Sequence, residues 1–215
     1  MQTVSSMQRQ NKDLSKAARL TLEVAESLFA SKGFNAVSMN AIAQQAGVSK
    51  ANIFHHFKSK QGLFMAVLKT ACRRSASALH DRETTTTVTP FVRMHDFFIS
   101  HLQGLLAQPE STRLIQWELM ENSEQRGKQL AEEVFADTFA SVVELVAEAQ
   151  AQGFVKADID VSLLAYLLVG ANVFFFETRA VLKHMPGVGF ADSAEHYSAA
   201  VFQLLAEGFE KSTSI

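Results

Sequence analysis

The chain has 215 residues, of which 47% are hydrophobic and 20% charged, and its formal net charge is −2. These values are typical of a globular protein with a substantial core, and they exclude an intrinsically disordered chain. The single cysteine, Cys72, excludes an intramolecular disulfide and a cysteine-based metal cluster, and we expect a cytoplasmic protein.

The charge is divided unevenly along the chain. Residues 1–80 carry a net charge of +8, and the remaining 135 residues carry −10. A basic segment on an acidic body predicts a polyanionic partner for the first part alone. Residues 1–14 are polar and contain no apolar run of signal-peptide length, and we interpret them as a flexible arm.

The first two predicted helices are bounded by recognisable capping residues. Apolar residues recur at three- and four-residue steps from Ser15 onward, and Gly33 is placed to stop that helix. A second helix, Met39–Ala46, has Ser38 as its expected N-cap, because a serine hydroxyl can accept from free amides of the first turn. Gly47 is expected to end it.

A third helix repeats this arrangement, with Ser49 as its N-cap. Two short capped helices joined by a glycine-containing turn predict a helix-turn-helix over about residues 38–57. On the third helix, the pattern assigns Ile53, Phe54 and Phe57 to the core. The side chains left for the outer face are Lys50, Ala51, Asn52, His55 and His56.

A polar, threonine-rich stretch over residues 81–90 ends in proline and marks the change in charge sign. It is the best candidate for a domain boundary. We therefore predict a first domain over residues 15–80, whose last helix is a connecting helix capped by Ser59. A second domain follows over residues 81–215.

The second part of the chain has helical periodicity throughout, and no run of alternating strands appears. The whole chain is therefore predicted to be all-α. Its most apolar stretch, residues 163–176, is 14 residues long, too short to span a bilayer, and predicts a helix buried on most sides. The predicted helices cover residues 91–107, 111–122, 124–152, 160–183 and 191–210.

The run GFNAVSMNAIAQQAGVSKANIFHHFKSKQGLF (33–64) resembles the N-terminal region of TetR/AcrR-type transcriptional regulators. The matching pattern is Gly-Phe, a capping serine, Ile-Ala, Ala-Gly-Val-Ser, an aromatic pair closing on His-Phe, and Ser-Lys before an apolar helix. The resemblance implies an N-terminal three-helix helix-turn-helix domain that binds DNA. It also implies a larger helical domain that binds a ligand and dimerises through its last two helices, here 160–183 and 191–210.

The resemblance assigns the helix after Ser49 as the recognition helix in the major groove. Lysine and asparagine suit base edges or phosphates, and the histidines stand near the DNA backbone. Phe54 occupies a position where tyrosine is common, so a hydroxyl contact to phosphate is unavailable there. The predicted DNA-binding residues are Asn40, Ser49, Lys50, Ala51, Asn52, His55, His56 and Lys60.

The ligand pocket is expected in the second part of the chain and lined mainly by apolar side chains. A glutamate beside a tryptophan would suit a cationic ligand, although such an acidic run is more often a solvated face. Each aromatic residue also fits ordinary core packing. The predicted ligand-binding residues are Phe98, Trp117, Met120, Glu121, Phe135, Phe139 and Phe174.

The sequence contains no catalytic or metal-binding motif that we recognise, so we expect no enzyme, no cofactor and no metal. Cys72 is interpreted as an inert helix residue rather than a thiol sensor. The leading hypothesis is a homodimeric repressor, released from a palindromic DNA operator by a small, largely apolar effector, with no membrane partner. The alternatives are a constitutive DNA-binding dimer without an effector and a helical enzyme or carrier.

Overall fold

The computed structural model describes residues 15–79, 88–120 and 123–209, which contain no β-strand. The prediction of an all-α chain is confirmed. In chain order the helices are α1 (Lys16–Ala36), α2 (Met39–Ala46), α3 (Lys50–Phe57), α4 (Lys60–Ser75), α5 (Pro90–Ala107), α6 (Pro109–Met120), α7 (Glu124–Leu130), α8 (Ala136–Ala151), α9 (Val161–Leu182) and α10 (Ala194–Phe209).

The helices form two compact units. The first unit consists of two stretches of the chain, the N-terminal part up to Ala71 and Glu110–Val134. The second unit consists of Cys72–Pro109 and the chain from Phe135 onward. This division differs from the domains predicted from the sequence, which place one boundary between residues 80 and 81. Residues 80–87 lie outside the described residues.

The core of the first unit is built around three aromatic rings. Phe29 meets Phe64 edge-on at 5.1 Å between centroids, and Phe34 lies 4.8 Å from the same ring. The guanidinium of Arg126 lies 5.9 Å from the centre of the Phe64 ring. These contacts show why α7 belongs with the N-terminal helices, although α5 lies between them in the sequence.

Two glycines shape the first unit. At Gly33 the backbone leaves the helical region (φ 78°, ψ 160°), so the predicted stop is present, although one more turn follows before α1 ends. A β-carbon at Gly62 would lie 2.2 Å from the carbonyl oxygen of Phe57. The start of α4 therefore approaches the end of α3 more closely than any larger residue allows.

The connecting helix α4 begins as predicted and ends earlier than predicted. Its first turn is capped by Ser59, whose Oγ accepts from the amide of Gly62 at 2.9 Å. The helix ends at Ser75, whose hydroxyl donates to the carbonyl of Cys72 at 2.8 Å. This side-chain hydrogen bond competes with the backbone hydrogen bonds that would continue the helix. A 3₁₀ turn, Ser77–Leu79, follows it.

The single helix predicted over residues 124–152 is divided by a π-helical turn, Ala131–Phe135. Such a turn adds a residue to the helical register. Leu130, just before the turn, and Val134, within it, are buried, and the buried stripe of α8 begins at Thr138. The boundary between the units falls in this turn, because Val134 ends the first unit and Phe135 begins the second. The apolar residues over 124–152, which the sequence assigned to one helix, therefore contribute to the cores of both units.

The second unit packs α5, α8, α9 and α10 around a phenylalanine-rich core, with α9 against α5 and α8. Tyr197 stacks on Phe175 at 3.8 Å and donates its hydroxyl to the carbonyl of Ala171 at 2.6 Å. Burial raises the pKa of Tyr197 to about 12. The largest fully buried side chains of this core are Met94, Phe97, Phe98, Leu102, Leu145, Leu168 and Phe175.

A buried polar contact joins α5 to α9 inside this core. The side chain of Asn172 is fully buried, and its Nδ2 donates to the carbonyl of Phe98 at 2.8 Å. The same nitrogen lies 3.3 Å from Nδ1 of His101. Burial lowers the pKa of His101 to about 4, so the imidazole is neutral at neutral pH.

The prediction that α9 is buried on most sides is wrong for the single chain. Asp160 caps the helix by accepting from the amides of Ser162 and Leu163 at 2.8 and 3.1 Å. At 22 residues, α9 is longer than the 14-residue stretch considered above, and among the described residues it alone has a membrane-spanning length and composition. Only 28% of the residues in its most apolar 18-residue stretch are buried in the single chain. One face of α9 therefore remains exposed.

Candidate nucleic-acid interface

Two serine caps and a glycine turn fix the geometry of α2 and α3. The hydroxyl of Ser38 accepts from the amide of Ala41, and that of Ser49 accepts from the amide of Asn52, each at 3.1 Å. Between them, Gly47 adopts the left-handed conformation (φ 63°, ψ 31°) that favours glycine. The sequence predicted all three roles from local chemistry.

The outer surface of α3 carries several of the predicted DNA-binding residues. Ser49, Lys50, Ala51 and His55 are exposed, and Asn40 is exposed on α2. The opposite face of α3 buries Ile53 and Phe57 in the first unit. A short helix that is anchored on one side and polar and basic on the other can present side chains to a major groove.

Two predicted residues of α3 are less available than their neighbours. Asn52 is half-buried, and its Oδ1 has no accessible surface and no hydrogen-bond partner among the described residues. His56 is half-buried, with its Nε2 3.2 Å from the hydroxyl of Ser15. Both side chains would have to move or change partner before contacting a base.

Lys60 lies at the start of α4, where it contacts the end of α1. Its Nζ lies 4.4 Å from the centre of the Phe34 ring and 3.4 Å from the carbonyl oxygen of Asn35. The amine keeps donors for a further partner, because a lysine ammonium has three. These contacts with the end of α1 restrict the positions that the ammonium group of Lys60 occupies.

The assignment of Phe54 to the core is wrong. Its side chain is 40% exposed on the outer surface of α3, where Nζ of Lys50 lies 5.9 Å from the ring centre. The reason is geometric: Ile53 and Phe57, four residues apart, already occupy the inward stripe, and Phe54 lies about 100° around the helix from Ile53.

Sequence reasoning also passed over Lys58. This residue ends α3 with a positive φ of 65°, which is unusual for a residue other than glycine. Its side chain is exposed, and Nζ donates to the carbonyl of His55 at 2.9 Å. Lys50, Lys58 and Lys60 therefore place three cations along or beside α3.

The predicted ligand-binding residues are divided between the two units. Trp117 and Met120 belong to the first unit and are 55% and 77% exposed. In the second unit, Phe98 is fully buried and Phe174 is 70% exposed. The remaining two described members, Phe135 and Phe139, are partly buried there, and Glu121 lies outside the described residues.

The first unit contains an open cleft of about 540 Å³. None of the predicted ligand-binding residues lines it. Arg126 and Glu118 form an ion pair there, and Nη1 of Arg126 donates to Oε1 of Gln129 at 2.9 Å, so the two charges in the lining compensate each other. The cleft is lined by Phe34, Asn35, Glu118, Ser123, Gln125, Arg126 and Gln129.

The two helices predicted to dimerise both carry large apolar side chains on their surface. On α9, Leu163, Tyr166, Phe174 and Val181 are exposed. On α10, Leu204 is exposed. Within the part of the chain that the structure describes, no group of three or more histidine, cysteine, aspartate or glutamate side chains is placed to hold a metal ion.

Comparison with known proteins gives matches over both parts of the chain. The family model described as bacterial regulatory proteins, tetR family, matches residues 22–67. A second family model, described as the tetracyclin repressor-like C-terminal domain, matches residues 92–203, which is more than half of the chain.

Individual relatives agree with these matches. The transcriptional repressor KstR2 of Mycobacterium tuberculosis (strain H37Rv) is 26% identical over 151 residues, covering 66% of this chain and 71% of the relative. The transcriptional regulator UidR of Escherichia coli K12 is 25% identical over 154 residues, covering 69% and 74%. The solved structure of Salmonella enterica GusR has the same fold, with a TM-score of 0.68 at 24% identity, and covers 90% of this chain and 97% of that one.

Proposed function

The chain belongs to the tetR family of bacterial transcriptional regulators, and from this membership we propose that it is a homodimeric repressor of a palindromic operator. It is a regulator and not an enzyme. We further propose that a small, largely apolar effector releases it from DNA, and that it acts in the cytoplasm. The repressor assignment is supported by KstR2, which is described as a transcriptional repressor.

The observation that carries the DNA-binding proposal is the outer surface of α3. Lys50, Ala51 and His55 lie exposed together on a helix that is capped by Ser49 and anchored through Ile53. The net charge of +8 over residues 1–80 gives this surface an attraction for phosphate. Asn52 and His56 remain in the proposed interface. On binding, contacts with DNA replace the present contact of His56 with Ser15 and expose the Oδ1 atom of Asn52 to a partner.

The homodimer is supported by the exposed apolar side chains of α9 and α10. Leaving Phe174 and Leu204 in water is unfavourable, and a second copy would cover them. A two-fold dimer presents two copies of α3. These would meet successive major grooves if their centres lay about 34–36 Å apart.

The effector proposal is supported by the family and by the phenylalanine-rich second unit. An effector acts by binding one arrangement of the dimer better than another, which lowers the affinity for DNA. Because this coupling is reciprocal, operator DNA must weaken effector binding by the same factor. A compound that stabilises the protein to heat without changing its DNA affinity would not be the effector.

The proposal is tested by binding of the purified full chain to its own upstream DNA at several salt concentrations. We expect affinity to fall steeply with salt, because lysine contacts displace counterions from phosphate. Lys50→Ala should weaken binding, whereas Lys128→Ala, which removes an exposed lysine on α7 outside the predicted DNA and dimer interfaces, should leave it unchanged. Salt-insensitive binding, or equal effects of the two substitutions, would contradict the proposal.

A further inference from the structure

We propose that Phe54 determines operator specificity by packing its ring against the 5-methyl group of a thymine in the major groove. This inference rests on the DNA-binding function proposed above, and it deepens that function. It concerns a residue that the sequence alone assigned to the core.

The position of Phe54 supports this role. Its side chain is 40% exposed, whereas Ile53 and Phe57 on the same helix are buried in the first unit. The ring lies one helical turn beyond Lys50, whose Nζ is 5.9 Å from the ring centre, and Ala51 is exposed beside it. Phe54 is the one large apolar side chain of α3 that faces outward.

The chemistry of the ring limits what it can contact. A phenyl ring has no donor or acceptor for a phosphate or a polar base edge. Among the groups that base pairs present in the major groove, the 5-methyl of thymine is the apolar one, and phenylalanine is a side chain suited to it. Burying both surfaces removes apolar area from water, which is favourable.

The neighbours of Phe54 favour DNA as the partner rather than a protein surface. Lys50, Lys58 and Lys60 place cations along or beside α3, and residues 1–80 carry a net charge of +8. An apolar ring beside Lys50, in a basic segment of the chain, is complementary to an apolar group inside a polyanion. The thymine methyl in the major groove is such a group.

The test uses thymine analogues in an operator selected from random DNA with the full chain. Replacing single thymines by deoxyuridine removes only the 5-methyl group. We expect at least one position in each half-site where this change weakens binding about three- to fivefold, on the order of one buried methyl. A fluorescence anisotropy titration at fixed salt measures the ratio of the two dissociation constants.

Variants of the protein assign the effect to the ring. Phe54→Ala should bind the thymine and deoxyuridine operators equally, and Phe54→Tyr, which keeps the ring, should retain the discrimination. Lys50→Ala should weaken binding to both operators while leaving their ratio unchanged. Because Phe54 is exposed, its substitution should leave the thermal unfolding midpoint nearly unchanged.

The outcomes separate this inference from the proposed function. If wild-type protein binds both operators equally, or if Phe54→Ala still discriminates between them, the assignment of Phe54 is wrong while DNA binding stands. If no salt-sensitive, sequence-specific binding is found with any DNA, the proposed function is wrong as well.

Discussion

The hydroxyl of Ser15 lies 3.2 Å from Nε2 of His56, so the residue that caps α1 also contacts α3. The same oxygen accepts from the amide of Ala18 at 3.2 Å, as an N-cap does. One side chain therefore starts the first helix and contacts a histidine that the sequence assigned to the DNA.

Replacing Ser15 with alanine removes the cap and the contact to His56. We expect a loss of about 1 kcal/mol in the free energy of unfolding, which urea denaturation measures. The matched control is Ser31→Ala, because that hydroxyl bonds to the carbonyl of Ser27 within α1 and caps nothing. The control should be neutral or slightly stabilising, since alanine is the better helix former. Equal losses in both variants would contradict the capping role.

The contact between Gly62 and Phe57 predicts a large effect of a single methyl group. In Gly62→Ala the new β-carbon would lie 2.2 Å from a backbone oxygen, so α3 and α4 must separate. We expect a loss of about 2–3 kcal/mol, measured by chemical denaturation. It should be accompanied by weaker DNA binding, because α3 would no longer be held in place.

Gly127→Ala is the control for this substitution. Gly127 also lies within a helix, and outside the adjacent backbone of that helix no described atom lies within 4 Å of the position its β-carbon would take. Alanine there should be neutral or stabilise the protein by up to about 1 kcal/mol. A Gly62→Ala protein as stable as Gly127→Ala would show that the turn after α3 is more open than described.

The burial of His101 predicts a dependence of stability on pH. Its pKa falls from 6.5 to about 4 in the folded chain, so the unfolded chain binds more protons between these values. The contribution of neutral His101 to the free energy of unfolding is complete above pH 6.5 and is lost as the pH falls toward 4. The slope approaches about 1.4 kcal/mol per pH unit in the middle of this range.

His101→Gln isolates this contribution, because glutamine does not titrate and its Oε1 can still accept from Asn172. Urea denaturation from pH 7.5 to 4.5 should show wild-type protein losing stability relative to the variant as the pH falls. Carboxylates and the other histidines cancel in this difference. Parallel curves for the two proteins would mean that His101 titrates with an ordinary pKa.

The exposed face of α9 predicts a change in oligomeric state. Phe174→Arg places a charge on a side chain that is 70% exposed in the single chain, so the fold should survive. If α9 forms the dimer interface, we expect the dimer dissociation constant to rise at least about tenfold in sedimentation equilibrium. Ala147→Arg, an exposed position on α8, should leave the dimer intact. A dimer that resists Phe174→Arg would place the interface elsewhere.

The parts of the fold that depend on neighbouring residues in sequence could be predicted. Ser38, Gly47 and Ser49 have local roles in capping and turning, and the structure shows each of them in that role. The orientation of Phe54 could not be predicted, because periodicity alone does not decide which of two adjacent aromatic residues faces inward. That choice depends on the helices that α3 packs against.

The grouping of α6 and α7 with the N-terminal helices was also beyond the sequence. It depends on contacts between distant residues, such as the hydroxyl of Ser111 donating to Glu26. For the same reason, the exposed positions of Trp117 and Met120 did not follow from their apolar character. The ligand-binding residues remain a prediction.

The interrupted sequence of the first unit has a consequence for how the protein is made. Helices α1–α4 leave the ribosome first, but α6 and α7, which complete their unit, emerge only after the whole of α5. Until then the nascent chain lacks Arg126 against Phe64 and Ser111 against Glu26. A chimera that transfers the DNA-contacting helices to another regulator must therefore also carry α6 and α7, since a junction placed directly after α4 would leave the first unit incomplete.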